Sequence, residues 1–179
     1  MQLLFCKNNI LEKYKNQIID LYFNTFGTGS FAQYIDKSEL EKYIEAITHR
    51  KGWLLLAVDN DIVAGVLMAH RLSEEKNIPS EISENFSVKY CVYISELIVA
   101  ENARGKGCGK QLIETFLENI DKNIYYDALI RVWNENLPAL RLYEKTGFSA
   151  VASITQSKLR ADMQSTFTMN KIYLHKKLI

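Results

Sequence analysis

The stretch from residue 91 to residue 133 constrains the fold more than any other part of the chain. Cys91 to Val99 (CVYISELIV) reads as an apolar strand. A glycine-rich turn follows, and then GKQLIETFLENIDK (109–122) places Leu112, Ile113, Phe116, Leu117 and Ile120 on one helical face. ALIRVW (128–133) returns to strand. Two strands joined through a helix pair in parallel, because a tight hairpin cannot return the chain in the same direction. Any fold for this chain must therefore hold a parallel strand pair.

The flanking segments predict antiparallel pairs around it. Trp53 to Val58 and Ile62 to His70 are apolar runs separated by Asp59-Asn60-Asp61, a tight-turn sequence. Phe148 to Ile154 and Phe167 to Lys176 read as closing antiparallel strands, and Leu3 to Lys7 as a short first one. Residues 10–26 place Leu11, Tyr14, Ile18, Leu21 and Tyr22 at helical spacing, ending at Gly27-Thr28-Gly29-Ser30. A second helix spans 38–50, with Ser38 as N-cap and Glu41 completing a capping box. A short helix from Asn136 to Lys145 is capped by Asn136, admits Pro138 in its first turn and stops at Gly147. Residues 72–90 are polar and aperiodic, and read as a long loop with room for one helical turn. The order predicts a mixed α/β sheet with helices on both faces.

With 179 residues and 47% hydrophobic content, the chain suits one globular domain spanning 1–179. Its 22 basic and 21 acidic residues leave a net charge of +1, which argues against nucleic acid as a partner. Cys6, Cys91 and Cys108, like the three histidines, are scattered, so neither a disulfide framework nor a metal site is expected. The N-terminal apolar run is too short for a signal core, and no stretch reaches membrane-spanning length. The expectation is a cytoplasmic protein with no membrane partner.

The densest chemical signal is Val99-Ala-Glu-Asn-Ala-Arg104-Gly105-Lys106-Gly107-Cys108-Gly109-Lys110. Alternating glycines let a ligand approach the backbone, and the helix that follows offers unpaired N–H groups and the positive end of its dipole. That is an anion cradle suited to a pyrophosphate. A P-loop fails at both ends, since Gln111 follows Gly109-Lys110 and Arg104 stands where the first glycine belongs. A dinucleotide fingerprint fails on its last gap. The pattern that fits is [QR]xxGx[GA], at Arg104-x-x-Gly107-x-Gly109.

Together with the preceding strand SELIV and the second motif Asn136-x6-Tyr143-Glu-x-x-Gly147-Phe148, this pattern resembles the GNAT superfamily of N-acetyltransferases. The element order matches across nearly the whole chain. The resemblance implies a mostly antiparallel sheet of about seven strands flanked by about four helices, with a splayed parallel pair holding acetyl-coenzyme A. It implies that the backbone of Leu97, Ile98 and Val99 pairs with the pantetheine arm. Arg104 and the amides of Gly105, Lys106, Gly107, Cys108, Gly109 and Lys110 would hold the pyrophosphate, and Asn136 would touch the cofactor arm. Tyr143 would protonate the departing thiolate. The acceptor would be an amine of a small molecule or peptide, with room for a homodimer. A non-catalytic acyl-coenzyme A sensor of the same fold is the alternative.

An amine attacking a thioester must first lose a proton. Glu96 is the candidate base, and strand alternation puts it on one face with Val92 and Ile94. Anchoring a substrate ammonium, or a structural ion pair with a neighbouring Lys or Arg, are the other roles open to it. Arg131 occupies a position where some family members carry a carboxylate base; it is suited to an acidic group on the acceptor or to Glu96 itself. Tyr22, Phe26, Phe31 and Tyr34 cluster near the first interhelical loop. Core packing accounts better for Tyr22 and Phe26, while Phe31 and Tyr34 are pocket candidates. Cys108 reads as a small filling residue, though its place at a helix start favours the thiolate and leaves it open to alkylation without cofactor. The acids Glu74, Glu75, Glu81 and Glu84 suit either a polycationic acceptor or, more simply, a solvated charge run.

Overall fold

The computed structural model describes residues 1–49, 52–76 and 78–179. Seven strands and five α-helices follow one another as β1 (Gln2–Phe5), α1 (Asn8–Phe26), α2 (Lys37–His49), β2 (Trp53–Asp59), β3 (Ile62–Arg71), α3 (Ser80–Asn85), β4 (Cys91–Val99), α4 (Cys108–Asn119), β5 (Asp127–Trp133), α5 (Leu137–Lys145), β6 (Ser149–Leu159) and β7 (Thr166–Lys177). The strands form one sheet in the order β1-β2-β3-β4-β5-β7-β6. Only β4 and β5 run parallel, and the other neighbours are antiparallel.

The expected architecture is present, and the fifth helix is α3, the helical turn allowed for in the polar 72–90 stretch. The β2–β3 hairpin closes through Asn60 and Asp61, both at positive φ (49° and 63°), the twisted two-residue loop that Asn and Asp tolerate. Two apolar layers enclose the sheet. Leu112, Ile113 and Phe116 of α4 and Tyr143 of α5 pack on Val92, Ile94 and Ile130. On the other face Ile18 of α1 and Ile44 of α2 pack on Leu54, Met68 and Ile98.

Three expectations need correction. Asp36, not Ser38, caps α2: its Oδ1 accepts from the Glu39 amide at 3.0 Å, while Glu41 lies 3.8 Å from Lys15 instead of closing a capping box. The expected end of that helix at Arg50 lies outside the described residues. The strand expected over 148–154 continues to Leu159, past the apolar part of its sequence.

The third correction concerns β4. Met68 pairs with Glu96 but Ala69 pairs with Ile94, so Ser95 is an extra residue on β4. The bulge reverses the alternation beyond it. Leu97 and Val99 therefore share the α4 face with Val92 and Ile94, and Ile98 joins the α1–α2 layer. Glu96 moves with Ile98, away from the face that strict alternation gave it. Ser95 is held in place by donating to the Met68 carbonyl at 3.2 Å and accepting from the Tyr43 hydroxyl.

An Asp36→Ala substitution is expected to cost about 1 kcal/mol by urea unfolding. Ser38→Ala, on the exposed surface of the same helix, should stay within about 0.5 kcal/mol of the parent.

Candidate active site

Pairing between β4 and β5 stops at Ile94–Ile130. Beyond it the two strands part, β4 staying with β3 and β5 with β7. The β5-facing backbone edge of Leu97, Ile98 and Val99 is left without a strand partner. The gap opens into a cavity of about 1000 Å³ lined by both strands, the glycine loop, α5, the α1–α2 loop and parts of β6 and β7.

The glycine loop closes one end. Gly107 is the N-cap of α4 at φ 84°, and Gly105 sits at φ 74°, so both positions demand the left-handed backbone that glycine adopts freely. The first amide bonded to the cap is that of Gln111, at 3.0 Å from the Gly107 carbonyl. The amides of Cys108, Gly109 and Lys110 thus form the unpaired N-terminal end of α4, with Gly105 to Gly107 leading into it. Arg104 folds back to donate from Nε to the Val99 carbonyl at 3.1 Å. Arg104, Gly105, Gly107, Cys108, Gly109 and Lys110 line the cavity, whereas Lys106 points to solvent outside the lining. The Cys108 thiol does not face the cradle. It packs under β3, where a Cβ on Gly65 would come within 2.9 Å of Sγ, and burial raises its pKa. Alkylation of the resting protein there is disfavoured, against expectation.

Asn136 caps α5 through Oδ1, which accepts from the Ala139 amide at 3.2 Å, and it also lines the cavity. Two turns later Tyr143 is 5% exposed and faces the same cavity. Burial, then the charge of Glu96, drive its phenol pKa well above the ordinary value.

Glu96 reaches the cavity from the α1–α2 side because of the bulge at Ser95. Burial pushes its carboxyl up from 4.5 to about 7, opposed by Lys171, the Tyr22 hydrogen bond, Lys158 and Arg131. The Tyr22 hydroxyl donates to Oε1 at 3.2 Å. Tyr22 is therefore a site residue as well as a packing one, its ring 4.7 Å from that of Phe26. Arg131 does not pair with Glu96; its Nη1 donates to the Tyr173 hydroxyl at 3.1 Å. Phe31 lies across the cavity mouth, its ring 4.8 Å from Trp133 and 5.7 Å from Phe167. Tyr34 is not brought in: it is 43% exposed, outside the lining, and its amide binds the Leu159 carbonyl instead.

Sequence reasoning missed Lys158, Lys171 and Trp133, which complete the cavity wall. Burial, with Lys158 and Arg131 adding to it, lowers the Lys171 ammonium to about 8. None of the three belongs to a motif; a strand period extended through 155–171 would have pointed to the two lysines, and alternation with Arg131 on β5 to Trp133. Among the described residues no cluster of His, Cys, Asp and Glu is suited to a metal, and no helix is long and apolar enough to cross a membrane.

A glycine cradle beside a splayed parallel pair, with a carboxyl and a phenol facing the same gap, is the arrangement of an acyl-transfer fold. The model of the acetyltransferase (GNAT) family matches residues 15–148, and the chain belongs to that family. Among curated proteins, the uncharacterized N-acetyltransferase YobR of Bacillus subtilis (strain 168) is 41% identical over 59 residues, 33% of this chain and 24% of that protein. The match thus spans about a quarter of the relative's length. Among solved structures, an N-acetyltransferase from Staphylococcus aureus Mu50 superposes with TM-score 0.76 at 14% identity over 100% of both chains. The structure of yncA from Salmonella typhimurium with its cofactor acetyl-CoA gives 0.75 at 15% identity, covering 100% of this chain and 94% of that one. Both share the fold.

The raised Glu96 pKa carries a stability consequence. Between about pH 4.5 and 7 the folded state holds a proton that the unfolded chain has released, so stability falls as pH rises through that window. Glu96→Gln is expected to raise the urea midpoint above the parent's at pH 8 and to match it at pH 4; an equal difference at both pH values would contradict the burial of this carboxyl.

Proposed function

We propose that the chain, as one domain over residues 1–179, is an N-acetyltransferase that moves an acetyl group from acetyl-coenzyme A to an amine of a small molecule or peptide. The observation that carries this reading is the placement of Glu96: its carboxyl, pushed up to about 7 by burial, shares one cavity with the Tyr143 phenol and the α4 cradle. A group with that pKa accepts a proton readily at neutral pH. The three thiols are free and in reduced form suit the cytoplasm as its compartment.

The residues present fit the cofactor. The free edge of Leu97, Ile98 and Val99 takes the pantetheine amides as a strand would. The amides of Gly105 to Lys110, with Arg104, take the pyrophosphate, and Asn136 stands beside the arm. Bound acetyl-coenzyme A supplies an activated acetyl thioester. Glu96, its carboxylate oriented by Tyr22, removes a proton from the acceptor ammonium and leaves a nucleophilic amine. As the new C–N bond forms and the C–S bond breaks, Tyr143, kept protonated by burial, would give its proton to the sulfur and regain one through solvent as the nitrogen sheds its second proton. Phe31 and Trp133 wall the acceptor side.

Calorimetric titration of the parent protein is expected to show selective binding of acetyl-coenzyme A and coenzyme A over ATP and NAD; no binding to folded protein overturns the reading. Tyr143→Phe should lower kcat roughly a hundredfold with acetyl-coenzyme A affinity held, whereas a sensor would show no turnover to lose. In the parent enzyme kcat/KM should rise with pH up to about 7 as Glu96 ionises. Glu96→Gln should remove that limb from the profile.

A further inference from the structure

Three cationic side chains, Arg131, Lys158 and Lys171, line the same wall of the main cavity. The sheet register places them on one face. Arg131 stands opposite Tyr173, Lys171 opposite Trp133 and Ile154, and Lys158 opposite Phe167. All three are partly buried. Among the described residues none of them lies within 4.0 Å of a carboxylate oxygen. Two carboxylates face the cluster. Glu96 has its pKa raised by burial, and Glu75 turns to His70, Oε2 lying 3.7 Å from Nε2, so three cations face two carboxylates. The wall therefore holds more positive than negative charge.

Unpaired ammonium groups drawn partly out of water and set beside one another are costly, and a bound anion removes that cost. The coenzyme A phosphates do not serve as that anion under the reading above. They belong to the α4 cradle, at the far side of the splay. The cationic wall lies across β5, on the Glu96 side, where the acceptor amine must sit.

We infer that the acceptor is an amine that also carries an anionic group, a carboxylate or phosphate, held by Arg131, Lys158 and Lys171 while its amino group faces Glu96. The inference rests on the acetyltransferase reading. Such an acceptor is zwitterionic: its ammonium meets the carboxyl that deprotonates it, and its anion meets the cations. Arg131 offers a planar fork suited to either anion, and the two lysines act as point charges. Its own tie to Tyr173 sets the direction of that fork.

The test uses the full chain saturated with coenzyme A, which blocks the cradle. Calorimetric titrations at constant ionic strength compare inorganic phosphate, acetate and neutral acetamide, for the parent, Lys171→Gln and Lys158→Gln. A saturable anion site that ignores acetamide and weakens tenfold or more in both variants is expected. Phosphate outcompeting acetate assigns a phosphorylated amine, and the reverse a carboxylate-bearing one. No anion binding, or binding unchanged in the variants, overturns the inference. Turnover then compares amines that differ only in one anionic group, such as amino acids against their amides. The anionic member should show at least tenfold higher kcat/KM, lost in Lys171→Gln through KM; preference for the neutral member overturns the inference. Failure of coenzyme A itself to bind would strike the acetyltransferase reading instead, and anion titration of the cofactor-free parent against the two lysine variants separates the two failures.

Discussion

One interruption in the sheet makes the rest of this molecule possible. β4 and β5 pair through Ile94–Ile130 and no further. A parallel pair that continued would bury its backbone groups and close the cavity. Instead Ser95 enters β4 as a bulge, secured by the Met68 carbonyl and the Tyr43 hydroxyl. The strand bends away from β5 and leaves an unpaired backbone edge, while Leu97 and Val99 keep their anchorage against α4. The same extra residue turns Glu96 from the α4 layer toward α1 and α2. Access for a ligand and orientation of the carboxyl are two effects of one insertion.

The electrostatics of the cleft follow from that placement. Loss of water around the Glu96 carboxyl disfavours ionisation, and the nearby cations and the Tyr22 hydroxyl only partly offset this. The result lies near neutrality, where a proton moves either way at small cost. Tyr143 responds to the same burial in the opposite functional sense, since a raised phenol pKa keeps its proton in place for donation. Lys171 is lowered by the same loss of water and by its cationic neighbours. One cleft, by drawing these groups partly out of water, thus sets the protonation of an acid, a phenol and an amine together.

Most of the scaffold was legible in the residues because its signals are local. The β2–β3 turn needs residues that tolerate positive φ and has Asn60 and Asp61. The α5 cap needs an acceptor at its first position and has Asn136. The cradle needs Gly105 and Gly107 in left-handed backbone, and their spacing announces it. What escaped depends on register between distant strands. Nothing near Ser95 marks a bulge, so alternation put Glu96 on the wrong face. Lys158 and Lys171 look like surface residues of a polar hairpin, and only the pairing of β6 with β7, and of β7 with β5, turns them inward. Tyr34 failed for a related reason: the α1–α2 loop pairs with the end of β6, through the Gln33–Arg160 bridge and the Tyr34 amide, and that pairing holds the ring outside.

The position of β7 in the sheet has a temporal meaning. The last strand of the chain is not an edge; it lies between β5 and β6. It brings Met169 and Lys171 to the cavity and fixes β6, whose tip braces the loop that carries Phe31. During synthesis the cradle, the bulge and Tyr143 are all translated before the strand that completes their wall. The glycine-loop end of the cavity is built from β4 and α4, whereas the wall that holds Met169 and Lys171 forms only when β7 inserts between β5 and β6. Any delay in seating β7 thus leaves that wall unfinished while the glycine loop is already in place.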